Sequence, residues 1–215
     1  MTALLAGASG LIGREVARHW TGPGPLHRLV RKAGLSSRFA APLLREHVVD
    51  FAALPPLPTA EMAFCCLGTT IKVAGSQAAF RAVDFDAVLH FARAARRAGV
   101  RRFGVVSALG ASASSASFYN RVKGEMEAEL ATLGFSSLVI ARPSLLAGDR
   151  TALGQPRRLG ERLMLAVAAP LSTFIPLAWR PIQAATVARA LLRAVAAGAP
   201  GVLVLKSAAL QGLGA

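Results

Sequence analysis

The sequence predicts an α/β fold in which helices cover both faces of a parallel sheet. Short apolar runs alternate with segments of helical periodicity along almost the whole chain of 215 residues. A glycine-rich turn follows the first apolar run and opens the first helical segment. Hydrophobic residues make up 53% of the chain and charged residues 17%, which favours one substantial core over disorder. We therefore predict a single domain, residues 1–215, with strand order 3-2-1-4-5-6-7.

The N-terminal segment has the pattern of a dinucleotide-binding turn. Residues 2–6 predict a strand and residues 14–20 a helix, with glycines spaced G-x-x-G-x-x-G between them. Gly7 permits a tight turn, Gly10 lets the backbone approach a pyrophosphate, and Gly13 lets the helix pack closely on the strand. Free N–H groups at the helix N-terminus favour phosphate binding. The predicted cofactor contacts of this turn are Gly7, Ser9, Gly10, Leu11, Ile12 and Gly13.

The second predicted strand, residues 26–32, bears on the identity of the cofactor. An NAD site usually places an acidic residue about 20 residues beyond the glycine turn, where it binds the ribose 2′-hydroxyl. Here no Asp or Glu occurs between Glu15 and Glu46, and Arg31 and Lys32 end the strand. A guanidinium matches the 2′-phosphate that distinguishes NADP. The pattern favours NADP(H), and solvated loop charges are the alternative interpretation.

The remaining elements follow from apolar runs and the residues that interrupt them. Further strands are predicted at residues 46–50, 62–67, 103–107, 137–141 and 202–205. Further helices are predicted at residues 76–98, 119–133, 158–168 and 184–197. Gly99 and Gly134 stand where two of these helices should end. Residues 108–117 form a small, polar loop that we expect to be mobile.

Composition and cysteine usage exclude several classes of function. The net charge of +14 would suit nucleic acid or an acidic membrane, but the cations are scattered arginines in an alanine-rich chain. The longest apolar stretch, residues 163–177, contains two prolines and is too short to span a bilayer. Adjacent Cys65 and Cys66 would point to opposite faces of a strand, as free thiols. We predict a cytoplasmic protein without a nucleic-acid partner, a metal site, a membrane span or a secretory signal.

The only tyrosine in the chain lies four residues before a lysine. This spacing puts Tyr119 and Lys123 on one helix face, one turn apart. A nearby ammonium lowers the pKa of a phenol from its ordinary value of about 10, so Tyr119 is a candidate general acid or base. Ser107 ends an apolar run twelve residues upstream. The alternative is an exposed helix face that carries one aromatic side chain and one charge.

Together, the glycine turn, Ser107 and the Tyr119–Lys123 pair resemble the short-chain dehydrogenase/reductase superfamily, in its atypical and extended branches. The chain is most similar to the Tat-interacting-protein family of atypical, NADPH-binding members. It shares with that family the stretches Phe64–Thr70, Val122–Glu125 and Arg142-Pro143. The resemblance implies a doubly wound, NAD(P)-binding Rossmann fold with a small C-terminal substrate lobe at about residues 143–200.

The resemblance also implies roles for individual residues. Tyr119 would exchange a proton with the substrate oxygen, Lys123 would lower the pKa of that tyrosine and hold the nicotinamide ribose, and Ser107 would position the substrate oxygen. Asp50 would contact the adenine amino group. The other implied cofactor contacts are Leu67, Gly68, Thr69, Lys123 and Pro143.

Two departures from the superfamily bear on function. Extended members often carry an asparagine where this chain has Asp84, which puts a proton relay in doubt. The Rossmann core reaches about residue 142 and leaves roughly seventy residues, too few for the sugar-nucleotide lobe of the epimerases. A nucleotide-sugar substrate is therefore not expected.

Apolar side chains near the predicted site indicate the substrate class. They are Leu145, Leu146, Leu153, Met164, Phe174, Leu177 and Trp179. An apolar pocket over a nicotinamide suits a small carbonyl or a quinone, and ordinary core packing is the alternative. The stretch Gln155–Arg158 either binds an acidic group of the substrate or forms a solvated loop.

The predicted function is that of an NADP(H)-dependent oxidoreductase that reduces such a substrate with Tyr119 as acid/base. One alternative is a non-catalytic NADPH-binding regulator that acts through a protein partner. Another is a quinone or flavin reductase of the same fold. A homodimer through the Tyr119 helix also stays open.

Overall fold

The computed structural model describes residues 1–34, 43–147, 176 and 178–215. The strands in these segments are β1 (Ala3–Ala6), β2 (Leu26–Val30), β3 (Leu44–Val48), β4 (Met62–Cys65), β5 (Arg102–Val106), β6 (Ser137–Arg142), β7 (Leu146–Ala147), β8 (Ile182–Gln183) and β9 (Gly201–Lys206). Seven of them form one parallel sheet in the order β3-β2-β1-β4-β5-β6-β9. The predicted parallel sheet and its strand order are confirmed. The short parallel pair β7-β8 was not predicted.

Helices lie on both faces of this sheet. They are α1 (Leu11–Arg18), α2 (Ile71–Ala74), α3 (Gln77–Arg81), α4 (Ala87–Arg97), α5 (Phe118–Thr132), α6 (Ala184–Ala197) and α7 (Ser207–Gly214). Apolar side chains of α1 and α6 form a core with one face of the strands, and those of α4 and α5 form a core with the other face. Because neighbouring strand residues point to opposite faces, Leu5 belongs to the first core and Leu4 to the second. The predicted helix at residues 158–168 lies outside the described residues.

The strand order reverses direction beside β1. The chain moves outward from β1 to β3 and then returns to β4 on the other side of β1. Ala6, the last residue of β1, lies opposite Leu29 of β2 and Cys65 of β4. The loops that leave these strands therefore diverge from one level of the sheet, and the space between them is where ligands bind in folds of this kind.

The turn between β1 and α1 admits only glycine at two positions. Gly7 has a φ of +81°, and a Cβ there would lie 2.3 Å from the carbonyl oxygen of Cys66. A Cβ on Gly13 would lie 2.1 Å from the carbonyl oxygen of Gly7. The contact of Gly13 packs α1 closely on the end of β1, as the sequence pattern predicted, whereas the contact of Gly7 with the residue after β4 was not predicted.

The helix predicted at residues 76–98 is present from Gln77 to Arg97, and it contains a π-helical turn that was not predicted. Ser76 caps α3 by accepting a hydrogen bond from the N–H of Ala79 at 3.0 Å. Residues Ala82–Asp86 are π-helical, and α4 continues from Ala87. The extra residue of a π turn rotates the side chains that follow it, and such turns are frequent at functional sites. Here the segment holds Asp84 fully buried.

The loop at residues 108–117 packs against α5 at Gly124, which has no side chain to keep the two segments apart. A Cβ on Gly124 would lie 2.1 Å from the carbonyl carbon of Ser112. The N–H of Ser112 donates to the carbonyl of Asn120 at 3.1 Å, and Arg121 Nη1 donates to the carbonyl of Ser115 at 2.9 Å. The loop that we expected to be mobile is thus hydrogen-bonded to the first turns of α5.

We predict that Gly124→Ala destabilises the protein by about 1–3 kcal/mol, because the new methyl group overlaps backbone atoms that cannot move independently. Gly212→Ala is the matched control, since Gly212 is also helical and nothing lies within 4 Å of its missing Cβ. That change should be neutral or stabilising by up to about 1 kcal/mol. Urea denaturation measures both, and equal effects of the two substitutions would contradict the packing argument.

Candidate functional site

A pocket of about 530 Å³ opens at the carboxyl ends of β1, β4, β5 and β6. The turn before α1, the loop after β4, the π-helical segment and α5 all contribute to its wall. Ten of the residues predicted to bind or react line it: Gly10, Leu11, Ile12, Leu67, Gly68, Thr69, Ser107, Tyr119, Lys123 and Pro143. The structure therefore brings together the glycine turn and the serine, tyrosine and lysine that lie about a hundred residues beyond it.

The N-terminus of α1 is open to a ligand. Gly10 is its N-cap and provides no side-chain hydrogen bond to the first turn. The exposed Ser9 lies just before it, and its carbonyl accepts a hydrogen bond from Arg14 Nε at 3.0 Å. Uncapped N–H groups at a helix N-terminus carry a partial positive charge, so this end of the pocket fits a phosphate group.

Ser107 is positioned to make a hydrogen bond that no described residue satisfies. The residue is 5% exposed, and its Oγ has no hydrogen-bond partner in the part of the chain that the structure describes. The backbone N–H of Ser107 donates to the carbonyl of Ala141 at 2.8 Å, which extends the pairing of β5 with β6. A buried, unpartnered hydroxyl is costly unless a ligand or water completes its bonding. Since Ser107 lines the pocket, a ligand oxygen would complete it.

Tyr119 and Lys123 lie one turn apart on α5, as their spacing predicted, and both face the pocket. The ring of Tyr119 contacts the buried ring of Phe80, with 5.2 Å between ring centroids. Phe80 belongs to α3, so this first part of the predicted helix supports the ring of Tyr119. The packing leaves the tyrosine partly exposed at the pocket wall.

The ammonium of Lys123 forms a buried ion pair with Asp84. Lys123 Nζ lies 2.8 Å from Asp84 Oδ1, and the two side chains are 3% and 1% exposed. Burial alone would lower the pKa of Lys123, but the attraction and hydrogen bond of the Asp84 carboxylate outweigh it, so the pKa is raised. Lys123 is therefore charged throughout the neutral range. The sequence identified Asp84 only as a departure from a family pattern and did not predict this contact.

A second ion pair joins β6 to α5 beside the pocket. Arg142 donates to both carboxylate oxygens of the buried Glu127, with Nε at 3.1 and 3.2 Å. The adjacent Pro143 lines the pocket, and its carbonyl accepts a hydrogen bond from the N–H of Leu109 at 2.9 Å. The arginine therefore holds the proline segment against the helix that carries Tyr119 and Lys123.

Arg31 and Lys32 are exposed just beyond the end of β2 and do not line the pocket. The structure brings an acid to the same turn. Glu46 of β3 accepts a hydrogen bond from the N–H of Gly34 at 3.0 Å, and its other oxygen lies 3.6 Å from Nη2 of the buried Arg28. This acid was missed because it lies next to β2 only in the folded sheet, where Arg28 is opposite Glu46.

Asp50 also lies outside the lining of the pocket. It is exposed beyond the end of β3, and its carboxylate accepts a hydrogen bond from the N–H of Ala52 at 2.9 Å. β3 ends at Val48, two residues before the predicted end of this strand. The implied contact of Asp50 with an adenine stays a prediction.

Only part of the predicted apolar wall falls within the described residues. Leu145 and Leu146 line the pocket, and Trp179 is 68% exposed elsewhere. The other predicted wall residues and the stretch at residues 155–158 lie outside the described residues. Sequence analysis assigned no role in the pocket to several residues that line it: Cys66, Thr70, Ile71, Val73, Val106, Ala108 and Ser144. Thr70 caps α2, since its Oγ1 accepts a hydrogen bond from the N–H of Val73 at 3.2 Å, and this capping pattern could have located the helix that carries Ile71 and Val73.

The two cysteines are free thiols. Burial raises the pKa of Cys65 to about 12 and also raises the pKa of Cys66, which lines the pocket. Thiols with raised pKa values are poor nucleophiles at neutral pH. In the segments that the structure describes, no cluster of three or more potential ligand side chains could hold a metal ion. No helix there is both long and apolar enough to cross a membrane.

Comparison with curated proteins identifies relatives that align over most of this chain. Protein HTATIP2 of Rattus norvegicus is 34% identical over 169 residues, which are 75% of this chain and 68% of the relative. Protein FMP52, mitochondrial, of Coccidioides immitis is 32% identical over 165 residues, 69% of this chain and 67% of the relative. Its counterpart in Eremothecium gossypii is 33% identical over 153 residues, 70% and 68% of the two chains. No family model matches the chain.

Solved structures share the fold at low identity. MoeE5, in complex with UDP-glucose and NAD, aligns with a TM-score of 0.69 and 18% identity over 95% of this chain and 75% of its own. The UDP-N-acetylglucosamine 4-epimerase of Methanobrevibacter ruminantium M1 aligns with a TM-score of 0.72 and 14% identity over 95% and 76% of the two chains. Identities this low support the Rossmann-type fold of this chain and nothing finer.

The comparison with curated proteins overturns one prediction. We expected a cytoplasmic protein from the buried cysteines and the absence of a secretory pattern. The FMP52 relatives are named mitochondrial proteins, which contradicts that expectation. Free buried thiols report on burial in this fold and do not identify a compartment, because burial protects them from oxidation wherever the protein resides.

We predict that Lys123→Met destabilises the protein by about 3–5 kcal/mol, because the substitution leaves the Asp84 carboxylate buried without its counter-charge. Lys72→Met is the matched control, since Lys72 is exposed on α2. Urea denaturation at neutral pH compares the two variants with the wild type. A Lys123→Met variant as stable as Lys72→Met would show that the ion pair adds nothing to folding.

The raised pKa of Lys123 also predicts how this stabilisation depends on pH. The contribution of the charged lysine should be complete below the unfolded pKa of about 10.4 and should be lost as the pH rises through the higher folded value. Thermal unfolding midpoints of the wild type should therefore stay above those of Lys123→Met from neutral pH to about pH 10. Convergence of the two midpoints already at pH 8 would contradict the assignment.

Proposed function

The chain belongs to the atypical short-chain dehydrogenase/reductase family of HTATIP2 and FMP52, and from this premise we propose that it is an NADP(H)-dependent oxidoreductase. Its substrate is a small apolar carbonyl compound or a quinone. The observation that carries the proposal is that Ser107, Tyr119 and Lys123 line one pocket together with the glycine turn of α1. Serine, tyrosine and lysine are suited to proton transfer, and the turn is suited to a dinucleotide.

The residues present fit a dinucleotide. Missing side chains at Gly7 and Gly13 allow the close backbone contacts that shape the turn, and the N-terminus of α1 has no side-chain cap. Gly10, Leu11 and Ile12 would hold the pyrophosphate there. In the proposal the loop at Leu67, Gly68 and Thr69 holds the adenosine side, and Lys123 and Pro143 hold the nicotinamide side.

In this proposal, residues of the protein supply the proton and orient the substrate. When bound, NADP(H) would supply the hydride. Tyr119 donates a proton to the carbonyl oxygen as that oxygen becomes an alcohol, and in the reverse direction it removes the proton. The unpartnered Oγ of Ser107 hydrogen-bonds the same oxygen and fixes its position. Leu145 and Leu146 add apolar surface to the pocket, which favours an apolar substrate.

The preference for NADP(H) rests on the charges beyond β2. Arg31 and Lys32 are exposed there, and a 2′-phosphate would accept hydrogen bonds from both. Glu46, the acid that reaches this turn, is bound to Gly34 and faces the guanidinium of the buried Arg28. Its charge is therefore opposed by a neighbouring cation and does not cancel those of Arg31 and Lys32.

A second candidate function is a non-catalytic NADPH-binding regulator that acts on a protein partner. The observation that favours it is the ion pair of Lys123 with Asp84. The carboxylate offsets the positive charge that would otherwise act on the phenol of Tyr119. Both functions require NADPH binding, and they differ in whether Tyr119 is needed for turnover.

We predict that the double substitution Arg31→Ala/Lys32→Ala weakens NADPH binding about a hundredfold, because each cation contributes about tenfold through a charge-assisted hydrogen bond. NADH binding should stay within about twofold, since NADH lacks the 2′-phosphate. Lys206→Ala, an exposed lysine on β9 at the far edge of the sheet, controls for the loss of charge. Calorimetric titrations with NADPH and NADH compare each of the two variants with the wild type. Equal losses for NADPH and NADH would remove the proposed selectivity.

We predict that Tyr119→Phe abolishes turnover and leaves the affinity for NADPH nearly unchanged, because only the proton donor is removed. The measurement is NADPH oxidation with a panel of small apolar aldehydes, ketones and quinones, beside a calorimetric titration. A Phe variant that turns over like the wild type would refute the mechanism. A wild type that binds NADPH tightly but oxidises it with no member of the panel would favour the regulator.

A further inference from the structure

We propose that Asp84 is a positioning residue that joins the cofactor loop after β4 to Lys123 through one carboxylate. The inference rests on the proposed function, because that proposal makes Thr69 and Lys123 cofactor contacts. The inference adds that the cofactor contacts of Thr69 and Lys123 depend on each other. Removing the carboxylate should weaken cofactor binding at the loop and change the protonation of the lysine together.

The geometry of the carboxylate carries the inference. Asp84 Oδ2 accepts a hydrogen bond from the backbone N–H of Thr69 at 2.8 Å. Oδ1 lies 2.8 Å from Nζ of Lys123. One oxygen therefore binds the loop after β4, and the other binds α5. Both partners line the pocket, and Asp84 itself lines it between them.

The position of Asp84 is not that of an ordinary core residue. Asp84 is fully buried, yet it belongs to the π-helical segment rather than to the regular helix on either side. A Cβ on Gly68 would lie 3.4 Å from Asp84 Oδ1 and 3.8 Å from Lys123 Nζ. A side chain there would be in contact with the ion pair, so the glycine allows the loop backbone to pack directly over Asp84 and Lys123.

A carboxylate is the side chain that two converging donors require. The N–H of Thr69 donates a hydrogen bond to one oxygen, the ammonium of Lys123 forms an ion pair with the other, and a carboxylate offers an oxygen to each. An asparagine amide has one acceptor oxygen and one donor nitrogen. Asp84→Asn must therefore leave either Thr69 or Lys123 facing an N–H group, and it removes the charge opposite the ammonium.

Among the described residues, the titratable groups that act electrostatically on Lys123 are Asp84 of the π-helical segment, Tyr119 of α5 and Cys65 of β4. Arg81 and Glu125, which adjoin this region on α3 and α5, form an ion pair with each other. Loss of the Asp84 charge consequently leaves burial as the main influence on the pKa of Lys123, and burial lowers it.

The test compares Asp84→Asn with Asp86→Asn, which removes the same charge from an exposed position in the same π-helical segment. Calorimetry measures NADPH affinity. The chain has four lysines, so nuclear magnetic resonance of labelled lysine ammonium groups follows Lys123 individually, with Lys123→Arg providing the assignment. For Asp84→Asn we expect NADPH affinity to fall about tenfold. We expect the titration midpoint of Lys123 to fall below about 10.4, and Asp86→Asn should change neither quantity.

Two results would overturn the inference: NADPH affinity of Asp84→Asn within twofold of the wild type, or an unchanged Lys123 midpoint. If Asp84→Asn does not fold, two measurements on the wild type test the inference. The amide of Thr69 should then be protected from hydrogen exchange, and Lys123 should titrate above the other three lysines; failure of either overturns the inference. If the wild type binds no NADPH, the cofactor proposal fails, while the amide and lysine measurements still decide the role of Asp84.

Discussion

The contact between the turn after β1 and the end of β4 is the constraint on which the site depends. Gly7 and the carbonyl of Cys66 approach so closely that no side chain fits between them, and Gly13 approaches Gly7 in the same way. This contact fixes the start of α1 at the carboxyl end of the two central strands. The N-terminus of the helix and the loop that begins at Leu67 then face each other across the pocket, and every other pocket residue is positioned relative to them.

Ion pairs join the elements that surround this contact, and the pair of Asp84 with Lys123 is buried on both sides. Asp84 and Lys123 join the π-helical segment to α5, Arg142 and Glu127 join β6 to α5, and Arg28 and Glu46 join β2 to β3. A buried pair seldom adds much net stability, because removing two charges from water costs about as much as their attraction returns. The cost of separating them is large, however, so each pair specifies one arrangement of its two elements.

Particular residues show where sequence reasoning succeeded and where it stopped. The glycine turn and the common face of Tyr119 and Lys123 follow from local spacing, and the strand order follows from the alternation of strands and helices along the chain; the structure confirms all three. The helix at residues 76–98 was predicted without its π-helical turn, because apolar periodicity cannot register one additional residue in a turn. Glu46 was assigned no role, because its partners Arg28 and Gly34 lie on the neighbouring strand and the turn that follows that strand.

The sequence by itself determined the class of fold, the glycine-rich turn before α1 and the candidate reactive side chains, because these depend on residue type and short-range periodicity. Only the tertiary structure decided that Lys123 is paired with Asp84, that Glu46 is held by Arg28, and that Ser107 has an unsatisfied hydroxyl. The physical reason is the same in each case. The electrostatics of a buried side chain depend on which atoms surround it, and those atoms come from segments that are distant along the chain.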